Sequence, residues 1–86
     1  MNFALEDYGF AKIRGFSFWP ARKTGDYKGR LWVKFFGTNQ LGTVSKTNNW
    51  VGVGEASLEK FATRKTLENP KYLEAISDFV NEIKGS

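Results

Sequence analysis

A small, mainly β domain carrying a C-terminal helix is the fold class this sequence predicts, and three observations predict it. Its 86 residues suffice for one compact domain and fall short of two. Up to about residue 53, Phe, Trp, Val, Thr and Gly come in short runs separated by turn signals, the pattern of successive short strands. Beyond residue 69 the apolar period lengthens from two to about 3.6, which marks a helix. The expectation is one domain over residues 1–86. A five-stranded antiparallel barrel of SH3-like or OB-like size would span about residues 6–54, with a helical part over about 55–85.

Taken in order, strands are expected at residues 8–14, 18–24, 30–36 and 41–45, and a fifth, short one at 50–53 after the Asn48-Asn49 turn. The connections are Gly15, the loop Gly25-Asp26-Tyr27-Lys28-Gly29 and the turn Gly37-Thr38-Asn39-Gln40. There glycine takes positive φ, and Asn or Asp bonds its own backbone. A short helical turn is expected over residues 56–61, with Leu58 and Phe61 inward and Ser57, Glu59 and Lys60 outward. The last helix gathers Tyr72, Ile76, Phe79, Val80 and Ile83 on one face. Asn69 caps it, Pro70 suits its first position because the missing N–H costs nothing there, and Gly85 is placed to stop it. Glu74, Asp78 and Glu82, spaced by four, form an acidic stripe that reads as a solvated face.

Composition excludes much chemistry. The chain has no Cys and no His, so disulfide frameworks, thiol nucleophiles, Cys/His zinc sites and the Ser-His-Asp triad are all unavailable. The candidate acids Glu6, Asp7 and Asp26 lie in a terminus or a loop, with no nucleophile-base pair and no phosphate loop. An enzyme, a metal and a cofactor are therefore not expected. No stretch approaches the roughly 18 apolar residues of a membrane span, and no basic region precedes an apolar run at the N-terminus. A soluble intracellular protein without a membrane partner is the expectation. Residues 1–65 hold 11 Lys and Arg against 5 Asp and Glu, whereas residues 66–86 hold 2 against 4. A basic body of this kind attracts polyanions, although solubility accounts for so modest a charge almost as well.

The sharpest local feature is Gly15-Phe16-Ser17-Phe18-Trp19-Pro20-Ala21, with three aromatics in four residues followed by a proline. Proline cannot donate to a sheet ladder, so it belongs at a strand start, an edge or a bulge, which brings Trp19 to a rim. Ser17-Phe18-Trp19-Pro20 resembles the Pro-Trp-Trp-Pro signature of the PWWP family, with Phe18 in place of the first Trp. The resemblance extends over almost the whole chain. Phe10-Ala11-Lys12-Ile13-Arg14-Gly15-Phe16 is similar to the family's first strand, Val33-Lys34-Phe35-Phe36-Gly37-Thr38 to the end of its third, and a C-terminal helix follows.

The resemblance implies a Tudor-like PWWP barrel with following helices. It further implies a nuclear chromatin module that binds the histone H3 tail methylated at lysine 36 together with nucleosomal DNA, and leaves room for further protein partners. Carried over position by position, the methyl-lysine cage falls on Phe16, Trp19 and Phe35, with Ile13 bordering it. Such a cage suits a methylated ammonium, which has lost N–H donors but kept its charge. Each aromatic face then contributes roughly 0.5–2 kcal/mol. Period-two alternation puts Phe35 and Phe36 on opposite faces, so one of them joins the cage, and the family favours Phe35. Phe18, Phe36, Phe61 and Phe79 are expected in the core, while Trp32 and Trp50 stay open. Thr38, Asn39 and Gln40 stand where the family often carries an acidic residue that holds the histone peptide. The segment 42–56 is longer than in compact members.

Lys12, Arg14, Arg22, Lys23 and Arg30 lie in or beside the strands that frame the signature, and Arg64 and Lys65 precede the last helix. These seven are the candidate DNA contacts, Lys12 and Arg14 sharing one strand face by their i, i+2 spacing. Lys28, Lys46, Lys60 and Lys84 read as solvating charges. Two alternatives stand beside the chromatin reading: a nucleic-acid module whose surface aromatics stack on unpaired bases, and an SH3-like barrel for proline-rich segments.

Overall fold

The computed structural model describes residues 4–85. Strands β1 (Tyr8–Ala11), β2 (Trp19–Tyr27), β3 (Arg30–Phe35), β4 (Leu41–Ser45) and β5 (Trp50–Gly52) make one antiparallel sheet in the order β4-β3-β2-β1-β5. A 3₁₀ turn, Leu5–Asp7, precedes them, and helices α1 (Glu55–Phe61), α2 (Arg64–Leu67) and α3 (Pro70–Gly85) follow. The mainly β class with a C-terminal helix is as expected. The sheet, however, is open: β4 and β5 are its two edges, and no ladder joins them.

Both faces of the sheet are used, because period-two alternation runs along the strands on either side of a single bulge in β2. Ala11 faces Trp19, Ala21 faces Phe35 and Leu31 faces Val44 across neighbouring strands. With Val33 they form one core on one face, against which Trp19 and Trp50 pack. The opposite face carries Tyr8 and Phe10, both fully buried under Tyr72, Ile76 and Phe79 of α3. Phe18, Phe36 and Phe61 pack into this second core as expected, and Trp19 touches both cores.

Several boundaries differ from expectation for local physical reasons. β1 stops at Ala11 instead of reaching Arg14: the Lys12 N–H still reaches the Asn49 carbonyl (2.9 Å), one step further along the β1–β5 register, but Ile13 to Phe16 then close a turn (Phe16 N–H to Ile13 C=O, 2.9 Å). The expected five-residue loop at 25–29 contracts to Lys28-Gly29. Both residues have positive φ, 50° and 76°, the combination that a two-residue hairpin turn matches to strand twist. β2 therefore continues to Tyr27, absorbing one extra residue in a bulge between Lys23 and Gly25.

In the helical part, Ser57 is buried rather than outward. Its hydroxyl accepts the Gly54 N–H at 2.9 Å and so satisfies a donor at the start of α1. The sequence reading did not include α2, which Thr63 caps by accepting the Thr66 N–H at 3.2 Å. At α3, Asn69 caps as expected, its Oδ1 accepting the Lys71 N–H at 3.0 Å, and Pro70 takes the first position. The helix includes Gly85.

Candidate functional site

The turn that follows β1 builds the most distinctive surface of the molecule. The Lys12 N–H makes the last bond of the β1 edge, to the Asn49 carbonyl, and the Ile13–Phe16 turn follows it. Lys12, Ile13, Arg14 and Gly15 then face Arg30, Thr43, Val44, Ser45 and Asn49 across an open groove of about 480 Å³. Three cations that the sequence names separately, Lys12, Arg14 and Arg30, thus line one groove. None of them is in an ion pair among the described residues. Arg30 donates to the Thr43 hydroxyl at 3.0 Å, which holds its guanidinium at the β4 edge. A groove walled by unpaired cations and hydroxyls fits a phosphate backbone, which needs charge and donors rather than shape-specific contacts. Thr43, Ser45 and Asn49 had not been singled out; the Thr and Asn richness of residues 43–49 was the available signal.

The other four candidate DNA contacts lie elsewhere. Arg22 lies where α3 covers the sheet, and its Nη1 meets Glu82 of α3 at 2.8 Å. Lys23 is 3.6 Å from Asp7. Arg64 and Lys65 are exposed on α2 and do not line the groove. The acidic stripe of α3 is likewise more than a solvated face: Glu82 accepts from both Arg22 and the Tyr8 hydroxyl, each at 2.8 Å. Partial burial disfavours the Glu82 carboxylate, but the hydrogen bonds from Arg22 and Tyr8 and the charges of Arg22 and Lys34 outweigh it and hold the group below its usual value.

The aromatic candidates are unequally presented. Phe16 is 70% exposed at the tip of the turn and stacks on no described aromatic ring. Ile13 is 39% exposed. Phe35 is only 6% exposed, and Trp19 is half-buried, its Nε1–H donating to the Phe36 carbonyl at 2.8 Å while its ring meets Tyr72 edge-on at 4.9 Å. Ile13 and Phe35 converge on Gly42: a Cβ there would sit 3.3 Å from Ile13 Cδ1 and 3.1 Å from Phe35 Cε2. Ile13 and Phe35 are therefore neighbours across Gly42, and of the four cage candidates only Ile13 lines the cation groove.

Thr38, Asn39 and Gln40 are exposed in the β3–β4 turn, where Asn39 adopts a φ of 58°. Asn39 and Phe35 line a second cavity, of about 250 Å³, with Arg22, Lys34, Asp78 and Glu82. The cavity that Asn39 lines and the cation groove thus lie toward opposite ends of β3. No group of three acidic residues that could hold a metal ion occurs among the described residues, and no described helix is long and apolar enough to cross a membrane. No protein-family model and no curated protein matches the chain.

Proposed function

We propose that this protein is a chromatin reader of the PWWP type, binding nucleosomal DNA in the Lys12/Arg14/Arg30 groove and a methylated lysine 36 of histone H3 beside it. The observation that carries the reading is the convergence of three unpaired cations around the turn that leads into the aromatic signature. The resemblance of residues 10–16, 17–20 and 33–38 to the family supplies the methyl-lysine half. On this reading Phe16, Trp19 and Phe35 receive the methylammonium, Ile13 borders it, and Thr38, Asn39 and Gln40 touch the flanking peptide. The barrel identity belongs to the same proposal. What supports it is that β4 and β5 are joined by only residues 46–49 and that the core of Ala11, Ala21, Leu31, Val33, Phe35 and Val44 fills the face away from α3.

Each contact is weak alone. A histone tail and adjacent DNA presented together raise the effective concentration of the second contact, so a nucleosome binds far better than a free peptide. DNA binding is sequence-independent, with an affinity that falls by about 0.9 log units per neutralised phosphate for each tenfold rise in salt.

The test compares two reconstituted nucleosomes that differ only in trimethylation at lysine 36 of histone H3, at fixed salt. Phe16→Ala is the informative variant, because the side chain is exposed and supports no core. Wild type is expected to bind the methylated nucleosome severalfold more tightly, Phe16→Ala to lose that gain alone, and Arg14→Ala to weaken both nucleosomes equally. A methylated peptide that bound as tightly as the methylated nucleosome would overturn the two-contact model. Equal wild-type binding to both nucleosomes would leave a DNA-binding module without methyl-lysine recognition, the alternative that the cation groove favours by itself.

A further inference from the structure

Helix α3 covers only part of the outer face of the sheet. It lies over Tyr8, Phe10 and Phe36, and the half built from the far end of β2, the start of β3 and β4 is bare. Register places Gly25 and Tyr27 of β2, Arg30 and Trp32 of β3, and Leu41 and Thr43 of β4 on this bare half, with Lys34 at its border, in the cavity that Asp78 and Glu82 of α3 line. The bulge between Lys23 and Gly25 makes this possible, since without the extra residue Tyr27 would turn to the other face. Tyr27 is 61% exposed, Trp32 44% and Leu41 76%. No other cluster of large rings in the described chain is so accessible.

We propose that this face is a stacking platform for single-stranded nucleic acid, with Tyr27 and Trp32 holding two unpaired bases and Arg30 and Lys28 following the backbone. Charge complementarity selects the occupant. None of the positions on the bare face is acidic, Lys28 Nζ lies 5.2 Å from the Tyr27 ring centre, and the nearby Asp26 is on the opposite face and neutralised by Lys46 at 3.0 Å. A proline-rich or apolar peptide would use the rings without the cations, whereas an unpaired strand uses both.

Geometry agrees. Tyr27 pairs with Arg30 and Gly25 with Trp32, so the two rings sit at diagonal positions of adjacent strands, about 7–8 Å apart at the backbone. Aromatics on neighbouring strands of an exposed sheet are how sheet-based readers splay and stack successive bases. Gly25 adds clearance, since even a Cβ there would lie against the Trp32 side chain at 3.5 Å. Arg30 also lines the cation groove, so a strand leaving the platform runs directly into it. The inference goes beyond methyl-lysine reading and does not depend on it, because neither Tyr27 nor Trp32 belongs to the proposed cage.

The experiment is fluorescence anisotropy with labelled oligo(dT) and oligo(rU) of roughly 12 nucleotides and a duplex of equal length. The proteins are wild type, Tyr27→Leu, Trp32→Leu and the double variant, with folding of each checked by circular dichroism. Leucine keeps apolar surface and removes the stacking plane. Each single variant is expected to lose about fivefold or more in single-strand affinity, the double variant more, and Trp32→Phe to restore most of the loss, with duplex binding unchanged throughout. A loss confined to oligo(rU) would assign the platform to RNA, and one confined to oligo(dT) to unwound DNA. A folded double variant that bound both oligonucleotides as tightly as wild type would overturn the proposal, whatever the nucleosome experiment returned.

Discussion

The indole Nε1–H of Trp19 donates to the carbonyl of Phe36 at 2.8 Å, tying the start of β2 to the end of β3. The same ring meets Tyr72 of α3 edge-on and touches both hydrophobic cores. In the proposed cage Trp19 therefore has a structural duty as well as a binding one. Trp19→Ala is expected to cost about 3 kcal/mol of stability, the scale of removing a large packed ring. Trp19→Phe keeps most of the packing and loses the hydrogen bond, for about 1 kcal/mol. Chemical denaturation of the three proteins measures both, and a Trp19→Ala variant within about 0.5 kcal/mol of wild type would refute the structural role. This is why Phe16→Ala, not Trp19→Ala, is the clean probe of methyl-lysine binding.

Gly9 offers a second test of packing. It sits in β1 opposite Gly52, and a Cβ at Gly9 would come within 2.5 Å of the Val51 carbonyl oxygen and 2.6 Å of the Trp50 ring. The Trp50 side chain lies across the space that a side chain at residue 9 would fill. Gly9→Ala must push back β5 or displace the indole, so it is expected to destabilise by about 1–3 kcal/mol. Gly52→Ala meets open space and is the control, with little change expected. Similar melting temperatures for the two variants would show that β5 does not press on β1 in this way.

What the sequence made legible was local. The alternation of Leu31, Val33 and Phe35 and the 3.6-residue period of Tyr72, Ile76 and Phe79 each lie within one element, and both survive in the structure. The same alternation puts Trp32 on the face opposite Leu31 and Val33. What stayed hidden depended on contacts distant in sequence or on a single backbone angle. Lys28 at positive φ shortened a loop, and Arg22 was read as a surface cation because Glu82 lies 60 residues away. The cations of the candidate site were named, but their sorting was not. That required knowing that β1 ends at Ala11 and that β4 folds beside the turn.

Tyr72 is 4% exposed, and its hydroxyl has no hydrogen-bond partner among the described residues. Burial pushes its pKa up from 10.0 to about 12, because the phenolate would be stranded in the core. A group raised on folding contributes stability below its unfolded value that is lost as pH rises through the folded one. The protein should therefore weaken between about pH 10 and pH 12 as the unfolded chain ionises first. Tyr72→Phe removes both the ionisation and the unsatisfied hydroxyl. It is expected to be at least as stable as wild type at neutral pH and to lack this part of the alkaline decline. A marked loss of stability in Tyr72→Phe at pH 7 would mean that the hydroxyl has a partner.

Glu82 works with the opposite sign. Although partial burial opposes its ionisation, the donors Arg22 and Tyr8 and the charge of Lys34 hold its pKa below the ordinary 4.5. A carboxylate lowered on folding contributes stability that is present above its unfolded pKa and lost as pH falls through the folded one. Its side chain is 38% exposed, so solvent screening limits the contribution to the range of surface pairs, at most about 1 kcal/mol. Glu82→Gln keeps the shape and an acceptor while deleting the charge. Wild type should exceed this variant in melting temperature at pH 7, and the gap should narrow as pH falls below the ordinary carboxylate value and close once the folded carboxylate is protonated too. A gap that stayed the same size throughout the acid range would place the stabilisation in packing rather than in charge. Arg22 and Tyr8 would then hold α3 to the sheet as neutral contacts do.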